Sequence, residues 1–260
     1  MNVVWSTSDL YSEIAAVSIV SLLENSKDVD QICVYVIDMG INREHREWLK
    51  GIVKSYGRQI IMLPQLDIEK ITNTHIDVGR WHISTFSRLF ILHVLPESVE
   101  KIIYIDCDMI IRKSMKTLWE MDMDGTWVMS ADDCRGKLYR DDIGISRDSI
   151  YTNNGLMVID LKAWRENNVE HLFVEFINKM NGNITYMDQG VLNGVLQPLK
   201  KVKLLPISYN AQTACYDLGY KGLNACRNPV WAYTEEEFNK DIQNPIVVHF
   251  TTCFMSGTRP

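Results

Sequence analysis

Hydrophobic residues in the first part of the chain alternate between continuous runs and spaced patterns. Continuous apolar runs of strand length are typical of strands buried on both faces of a parallel sheet. They occur at 3–5, 32–37, 59–63 and 101–106. Apolar residues spaced three and four apart predict helices. These patterns lie from Glu13 onward, over 43–56 and over 84–95.

Polar residues at the expected helix ends support these boundaries. Ser12 is a predicted N-cap of the first helix and Asn42 of the second. Gly57 is placed to end the second helix, and Pro96 follows the third.

The second part of the chain is less regular but continues the alternation. Strands are predicted at 127–130, 156–159, 202–205 and 246–249, and helices at 169–180 and 189–196. This order predicts an α/β fold with a doubly wound, mostly parallel sheet and helices on both faces. We find no repeat and no linker-like segment, so residues 1–260 are expected to form one domain.

Composition and charge narrow the possible partners. The chain has 260 residues and a formal net charge of −6, which argues against nucleic acid as a partner. The N-terminus lacks the basic and apolar regions of a signal peptide, and no apolar run reaches membrane-span length. Six scattered cysteines without a CxxC pair suggest reduced thiols, so a cytoplasmic location is expected, with the inner face of the membrane as a further option.

Carboxylates follow the predicted strands at the edge where open parallel sheets bind ligands. The glycine-rich phosphate motifs GxGxxG and GxxxxGK[ST] are absent, so a bound diphosphate would need another partner. A divalent cation held by carboxylates can fill that role. Three Asp-x-Asp pairs occur, but only Asp106 and Asp108 end a buried strand. They are the predicted metal-binding pair.

A third ligand is expected because two carboxylates rarely suffice for a metal ion. His249 follows the apolar run 246–248 and would also lie at a strand end, although a hydrogen-bonded structural role is the alternative. Oxygen ligands suit Mn²⁺ or Mg²⁺, and an added imidazole favours Mn²⁺.

Taken in order, several short motifs resemble the retaining glycosyltransferases of family 8, over essentially the whole chain. The family has a GT-A fold and uses a nucleotide-sugar donor with Mn²⁺. It includes bacterial transferases that build lipopolysaccharide and surface glycans. The matching segments are 8–11, 86–89, 104–108, 151–155, 188–189, His249 and 257–260.

The resemblance implies a nucleotide-binding half over about 1–115 and a sugar and acceptor half over about 116–260. Tyr11 would stack on uracil, and the 6–8 loop, with Ser6 and Ser8, would contact the base edge. An Asp is usual in the family where Ser8 stands, and Leu10 replaces a frequent polar residue. The remaining implied donor contacts are Arg88, Asp106, Cys107, Asn153 and Gly155, with His82 lining the sugar pocket.

Further implied roles concern carboxylates and the C-terminal residues. Asp132 or Asp133 resembles the carboxylate that binds donor hydroxyls, and Asp132 is preferred. Gly257 and Arg259 would contact the donor phosphate, with Arg259 in place of the family's Lys. Family tails beyond this point carry basic and aromatic residues, so peripheral membrane contact is expected of a tail not present in this chain.

The pair Asp188 and Gln189 implies the type of reaction. The family places Gln on the nucleophile-facing side of the sugar, and an amide is a poor nucleophile. This favours a front-face mechanism in which the leaving diphosphate helps to deprotonate the acceptor. Asp188 would hold donor hydroxyls, and it is also a candidate N-cap for the following helix.

The sequence therefore predicts a metal-dependent retaining hexosyltransferase that uses UDP-glucose or UDP-galactose. Its acceptor would be a glycan or glycolipid. Two alternatives stay open: an inactive UDP-sugar-binding protein and a haloacid-dehalogenase-type phosphohydrolase. The second usually has Thr or Val where this chain has Ile110.

Overall fold

The computed structural model describes residues 1–79 and 81–251. Within these ranges the chain forms ten strands, ten α-helices and four short 3₁₀ segments. The strands are β1 Asn2–Thr7, β2 Cys33–Asp38, β3 Gln59–Leu63, β4 Lys101–Ile105, β5 Met109–Ile111, β6 Val128–Ser130, β7 Leu156–Asp160, β8 Val202–Leu204, β9 Ala211–Gln212 and β10 Val247–His249.

The helices follow the strands around the sheet. They are α1 Ser12–Asn25, α2 Arg43–Ser55, α3 Ile68–Thr72, α4 Lys116–Glu120, α5 Leu138–Asp142, α6 Leu161–Glu166, α7 Val169–Lys179, α8 Met187–Leu196, α9 Thr213–Arg227 and α10 Glu235–Gln243. The 3₁₀ segments are Asp9–Tyr11, Ile83–Leu89, Ile91–His93 and Ile207–Tyr209. Among residues 1–79 and 81–251, none of the helices combines the length and hydrophobicity that crossing a bilayer requires.

Seven strands form one twisted central sheet in the order β3-β2-β1-β4-β7-β6-β8. Only β7 runs antiparallel to its neighbours, pairing with β4 on one side and β6 on the other. The prediction of a mostly parallel α/β sheet is therefore confirmed. The carboxyl ends of β1 and β4 meet at one edge of this sheet, which brings the residues that follow them together.

A second, three-stranded sheet has the order β5-β10-β9. The predicted strand at 246–249 exists as β10 but belongs to this small sheet, antiparallel to β5 and parallel to β9. β5 follows Asp108 directly, so the small sheet joins the end of β4 to residues late in the chain. The strands β5 and β9 were not predicted, because β5 follows β4 after only a short turn and β9 has just two residues, one of them polar.

Two hydrophobic clusters cover the two faces of the central sheet. One packs the apolar sides of α1 and α2 against β1, β2 and β4. The other packs the 83–93 segments with α6, α7 and α8 against the opposite face. Helices therefore lie on both faces, as the strand and helix order predicts.

Most of the predicted helix ends agree with the structure. The Asn42 side chain accepts the N–H of His45, and Gly57 follows α2 in a left-handed conformation, with φ of +68°. The predicted cap Ser12 is wrong, because Ser12 is already the first residue of α1 and its hydroxyl donates to the carbonyl of Asp9. Asp188 is likewise inside α8 and does not cap it, since Tyr186 precedes the helix.

The predicted helix at 84–95 is wrong in type. Residues 83–93 form two short 3₁₀ segments, Ile83–Leu89 and Ile91–His93. The residues from Phe86 to Ile91 are all buried, so this part of the chain has no solvent-exposed face and both its apolar and its polar side chains make tertiary contacts. These contacts favour the tighter 3₁₀ winding over a regular amphipathic α-helix.

Candidate active site

Two aspartates and one histidine meet where β4 ends. Asp106 and Asp108 follow β4 directly, and His249 ends β10. Because β10 pairs with β5 so that His249 lies opposite Met109, its Nε2 is 3.3 Å from Oδ1 of Asp108. One ligand atom from each of the three side chains lies within 4.8 Å of the others. These three residues could hold a metal ion, and their oxygen and imidazole donors suit Mn²⁺ or Mg²⁺.

Asn210 sets the tautomer of His249. Nδ2 of Asn210 donates to Oδ1 of Asn153 at 2.8 Å, so the amide oxygen of Asn210 faces the imidazole. That oxygen is 2.9 Å from Nδ1 of His249, which must therefore carry the hydrogen. Nε2 is therefore free to bind a metal ion. Metal-binding histidines are usually oriented in this way, with the other ring nitrogen donating its hydrogen to an oxygen atom.

Gly155 leaves the space that the His249 ring fills. A Cβ at position 155 would lie 2.5 Å from Cε1 of His249 and 2.7 Å from the methyl carbon of Met109. The Gly155 carbonyl accepts the N–H of Asp106 at 2.8 Å. Gly155 therefore allows the end of β10 to approach the end of β4 closely.

Arg88 is buried between two carboxylates. Its Nη2 is 2.7 Å from Oδ1 of Asp106, and its Nε is 3.2 Å from Oδ2 of Asp188. Nη1 also donates to the carbonyl of Asn154 at 2.9 Å. The guanidinium carbon lies 4.7 Å from the centre of the Tyr104 ring. Arg88 therefore connects the three candidate metal ligands with the start of α8.

Burial and neighbouring charges shift the pKa values in this cluster. Burial raises the pKa of Asp106 to about 6, although Arg88 opposes that shift. Burial also raises the pKa of Asp188, again opposed by Arg88. For His249, burial lowers the pKa, but the hydrogen bond to Asp108 and the nearby carboxylates outweigh it and raise the pKa. A bound divalent cation would reverse these directions by stabilising the carboxylates and the neutral imidazole.

Both polar atoms of the Gln189 amide are hydrogen-bonded to neighbouring side chains. Nε2 of Gln189 donates to Oδ2 of Asp133 at 2.9 Å. Its Oε1 accepts from Nδ2 of Asn153 at 3.2 Å. Asp133 in turn accepts from Nε2 of Gln212 at 2.7 Å and from Nε of Arg135 at 2.7 Å. The Gln189 amide is therefore held in one orientation by a buried polar network.

The structure separates the two candidate carboxylates Asp132 and Asp133. Asp132 is fully buried, and its Oδ1 accepts the N–H of Cys134. Burial raises the pKa of Asp132 to about 7. Asp133 contacts Gln189 directly, and Arg135 and its hydrogen bonds outweigh burial and lower its pKa. The geometry therefore favours Asp133, not the preferred Asp132, as the carboxylate of this site.

The proposed base-binding segment 6–8 covers the end of β1 and the residue that follows it, ahead of the 3₁₀ segment with Tyr11. Ser6 accepts a hydrogen bond from Ser87, and its carbonyl accepts the thiol of Cys107 at 3.3 Å. Burial raises the pKa of the Cys107 thiol to about 12, so the sulfur stays protonated. Tyr11 is 47% exposed, which leaves its ring accessible to a planar ligand.

The family usually has an Asp where Ser8 stands. The neighbouring Asp9 does not take its place, because its carboxylate has other partners. Oδ1 of Asp9 accepts from the N–H of Asn42, and Oδ2 accepts from Nδ2 of the same residue. Nδ1 of His45 is also 2.9 Å from Asp9. Asp9 is therefore engaged with the start of α2.

Three predicted site residues remain, of which the structure describes one, His82. His82 is exposed, and its Nδ1 accepts the N–H of Ser84 at the start of a 3₁₀ segment. No hydrogen bond within the described ranges links it to the other candidates. Gly257 and Arg259 lie outside the described residues.

Sequence reasoning missed Asn210, which precedes β9, and Gln212, which ends it. Asn210 orients His249, and Gln212 holds Asp133. Their spacing of two residues places both side chains on one side of an extended segment, which is the signal that could have identified them. Asn154 lies within the matching segment 151–155 but was given no role, and its amide donates to Oδ2 of Asp188 at 3.3 Å.

The family model of glycosyl transferase family 8 matches residues 2–254. The chain belongs to this family. The predicted family is therefore confirmed, and the hexosyltransferase class expected from the sequence agrees with it.

Individual relatives within family 8 are distant in sequence. A relative from Haemophilus influenzae is 29% identical over 224 residues, which are 84% of this chain and 65% of that protein. A lipopolysaccharide 1,2-glucosyltransferase of Escherichia coli is 26% identical over 214 residues, covering 80% of this chain and 62% of the relative. The chain thus spans somewhat less than two thirds of the length of these two relatives.

A solved structure confirms the fold. The galactosyltransferase LgtC, crystallised with donor and acceptor sugar analogs, superposes with a TM-score of 0.80 at 22% identity. The match covers 97% of this chain and 88% of LgtC. The predicted GT-A arrangement is confirmed by this likeness. The fold and the family together leave the phosphohydrolase alternative without support.

Proposed function

We propose that the chain transfers a hexose from a UDP-sugar to a glycan or glycolipid acceptor, with retention of configuration and release of UDP. The observation that carries the proposal is the cluster of Asp106, Asp108 and His249, in which Asn210 leaves Nε2 of His249 facing the carboxylates. This cluster lies at the carboxyl end of β4, next to Arg88, Asp188 and the polar network of Gln189.

The donor would be held by residues from both parts of the chain. Tyr11 offers an exposed ring for the uracil base, and Ser8 would contact the base edge. Asp106, Asp108 and His249 would hold Mn²⁺ or Mg²⁺, which supplies positive charge against the diphosphate when it is bound. Asp188 and Asp133 are the carboxylates proposed to accept hydrogen bonds from the hydroxyls of the donor sugar.

The residue at the nucleophile position supports a front-face reaction. Gln189 offers an amide whose nitrogen and oxygen are both engaged, with Asp133 and Asn153 respectively. A retaining enzyme with a covalent intermediate needs a carboxylate nucleophile in this place. The proposed contribution of Gln189 is therefore to position the sugar while the acceptor hydroxyl attacks from the side of the leaving UDP.

The transferred sugar is proposed to be glucose or galactose. The support is that the relatives include a lipopolysaccharide glucosyltransferase and that the fold matches a galactosyltransferase. The acceptor is proposed to be a glycan or glycolipid on the same grounds. The cytoplasmic location and membrane contact expected from the sequence stay predictions.

Thermal unfolding in the presence of candidate donors tests the proposal. We expect UDP-glucose or UDP-galactose with Mn²⁺ to raise the Tm, since a ligand that binds only the folded state stabilises it. GDP- and dTDP-sugars should raise it much less. Asp108→Asn should abolish the Mn²⁺-dependent part of the rise, because it removes one charged ligand from the cluster.

Asp30→Asn is the matched control, since Asp30 belongs to another Asp-x-Asp pair and is exposed. It should behave like the unmodified chain. Retention of the full Mn²⁺-dependent shift by Asp108→Asn would contradict the metal assignment. Binding of UDP-sugar without release of UDP in the presence of glycan acceptors would instead favour the inactive, sugar-binding alternative.

A further inference from the structure

A cavity of about 460 Å³ opens beside the polar network of Gln189. One wall is the segment 135–139, which follows Asp133, and the other is the end of α9 with Asn228. Arg135 belongs to this wall and also touches Asp133, which contacts Gln189. The cavity is thus separated from the proposed transfer site by a chain of two side-chain contacts.

The two walls of the cavity are joined by backbone. Gly136 pairs with Pro229 in an isolated β-bridge. A Cβ at Gly136 would lie 2.5 Å from the carbonyl oxygen of Arg227, so the close approach of the walls needs glycine there. A concave site with a fixed backbone binds a ligand with a smaller ordering cost than a flexible segment does.

The segment 135–139 is also fixed by side chains. Arg135 donates to the Tyr139 hydroxyl at 3.2 Å, and its guanidinium carbon is 5.1 Å from the centre of that ring. The Tyr139 ring stacks on Tyr186 with centroids 3.8 Å apart. Leu138, at 70% exposed, adds apolar surface at the rim. Apolar and aromatic side chains beside polar groups are suited to the face of a sugar ring.

The charge of the cavity is opposite to that of the molecule. The described residues that line it include Arg135, Lys137 and Arg227 and no acidic residue, in a chain of net charge −6. Asp133 balances part of the Arg135 charge at 2.7 Å. Within residues 1–79 and 81–251, neither Lys137 nor Arg227 has a carboxylate partner. These two cations are available to a ligand with negative charge.

We propose that this cavity binds the phosphate group of a phosphorylated glycan acceptor and so directs its sugar toward Gln189. That the ligand is an acceptor rests on the proposed transfer reaction. That the cavity binds a sugar phosphate does not depend on that reaction. Lys137 and Arg227 contact the phosphate, and Leu138 contacts the sugar. The hydroxyl to be glycosylated would then lie on the side of Arg135 and Asp133.

Cys226 offers a reporter at the cavity wall, because it lines the cavity and is exposed. We would measure its alkylation by iodoacetamide with peptide mass spectrometry on the full chain, at constant ionic strength. Glucose 6-phosphate or galactose 6-phosphate should slow alkylation of Cys226 by about threefold at twice its Kd. The corresponding free hexoses should have no effect, and the other cysteines serve as internal references.

The double variant Lys137→Gln/Arg227→Gln should lose this protection while keeping the Tm rise caused by UDP and Mn²⁺, which shows that it is folded. Lys54→Gln/Lys179→Gln is the matched control, with the same change in charge at exposed positions on α2 and α7. It should keep the protection. If UDP and Mn²⁺ do not raise the Tm of the unmodified chain, the proposed function fails, but protection of Cys226 is still measured without them.

Three results would overturn the inference. The first is that the hexose phosphates leave Cys226 alkylation unchanged. The second is equal protection by inorganic phosphate, which would indicate a site for free phosphate and not for an acceptor. The third is equal protection by UDP with Mn²⁺, which would assign the cavity to the donor.

Discussion

The amide of Asn210 determines which nitrogen of His249 faces Asp108. Both ends of this amide are engaged, one with His249 and the other with Asn153. Neither the residue before it nor the one after it is charged, so nothing in the local sequence marks it as part of a metal site. Its importance follows only from the tertiary contact between β10 and the segment before β9.

Asn210→Ala should weaken Mn²⁺ binding by about 10- to 100-fold, because the imidazole loses the partner that fixes its tautomer and its orientation. A titration with Mn²⁺, followed by the change in Tm or by calorimetry, measures this directly. Asn239→Ala, an exposed asparagine on α10, is the control and should leave the affinity unchanged. Equal affinities in both variants would show that Asn210 does not orient the metal ligand.

Single residues also show the limit of prediction from sequence. Asp106, Asp108 and His249 were predictable because each follows an apolar run that had to be a strand. Asp132 and Asp133 are neighbours in sequence with nearly the same local pattern, so sequence alone could not separate them. Both are buried in the structure, and the difference lies in their partners: Asp132 accepts the N–H of Cys134, whereas Asp133 contacts Gln189.

At the scale of elements, long segments were easier to predict than short ones. α1, α2, α7 and the first four strands have the expected positions within a few residues, since each presents a clear period of apolar residues. The 83–93 segments differ because their central residues 86–91 are buried and because a backbone N–H ties them to a side chain of α7. The N–H of Leu92 donates to Oε1 of Glu170 at 2.7 Å.

Glu170 makes this junction sensitive to pH. Burial raises its pKa to about 8 in the folded chain, above the value of about 4.3 in an unfolded chain. A raised pKa means that the folded state binds the proton more tightly. The protonated Glu170 carboxyl therefore contributes fully to the stability of the folded chain below about pH 4.3. This contribution is lost as the pH rises through about 8.

Glu170→Gln should remove this loss, because the amide oxygen can still accept the Leu92 N–H without carrying charge. Between about pH 5 and about pH 8, the free energy of unfolding of the unmodified chain should fall relative to the variant by at most about 1.4 kcal/mol per pH unit. Denaturant titrations at several pH values measure the difference. Glu175→Gln on the same helix, where the side chain is 61% exposed, should show no such trend.

At the scale of the whole molecule, Arg88 joins the two parts of the chain. It comes from the first part, whereas Asn154 and Asp188 come from the second. The central sheet likewise combines strands from both parts, with β4 paired to β7. The assignment of nucleotide and sugar roles to residues 1–115 and 116–260 stays a prediction. The contacts between the two parts were not visible in sequence, because the carboxylates that contact Arg88 are far from it along the chain.

Arg88→Met should lower the free energy of unfolding by about 3–5 kcal/mol, because two buried carboxylates lose their common cation. Denaturant unfolding measures this loss. Arg147→Met removes an arginine that is 63% exposed and paired with Asp141, so it should cost far less stability than Arg88→Met. Equal losses in the two variants would mean that Arg88 is not a structural link between the two parts.

The pairing of β5 with β10 affects how the protein acquires its activity during synthesis. Asp108 leaves the ribosome well before His249, and the strand that carries His249 is close to the end of the described chain. The N-terminal strands can associate as they emerge, but the small sheet closes only after β10 is made. Strong Mn²⁺ binding should therefore appear only in chains translated through β10, which spares a partly made protein from capturing metal or consuming donor.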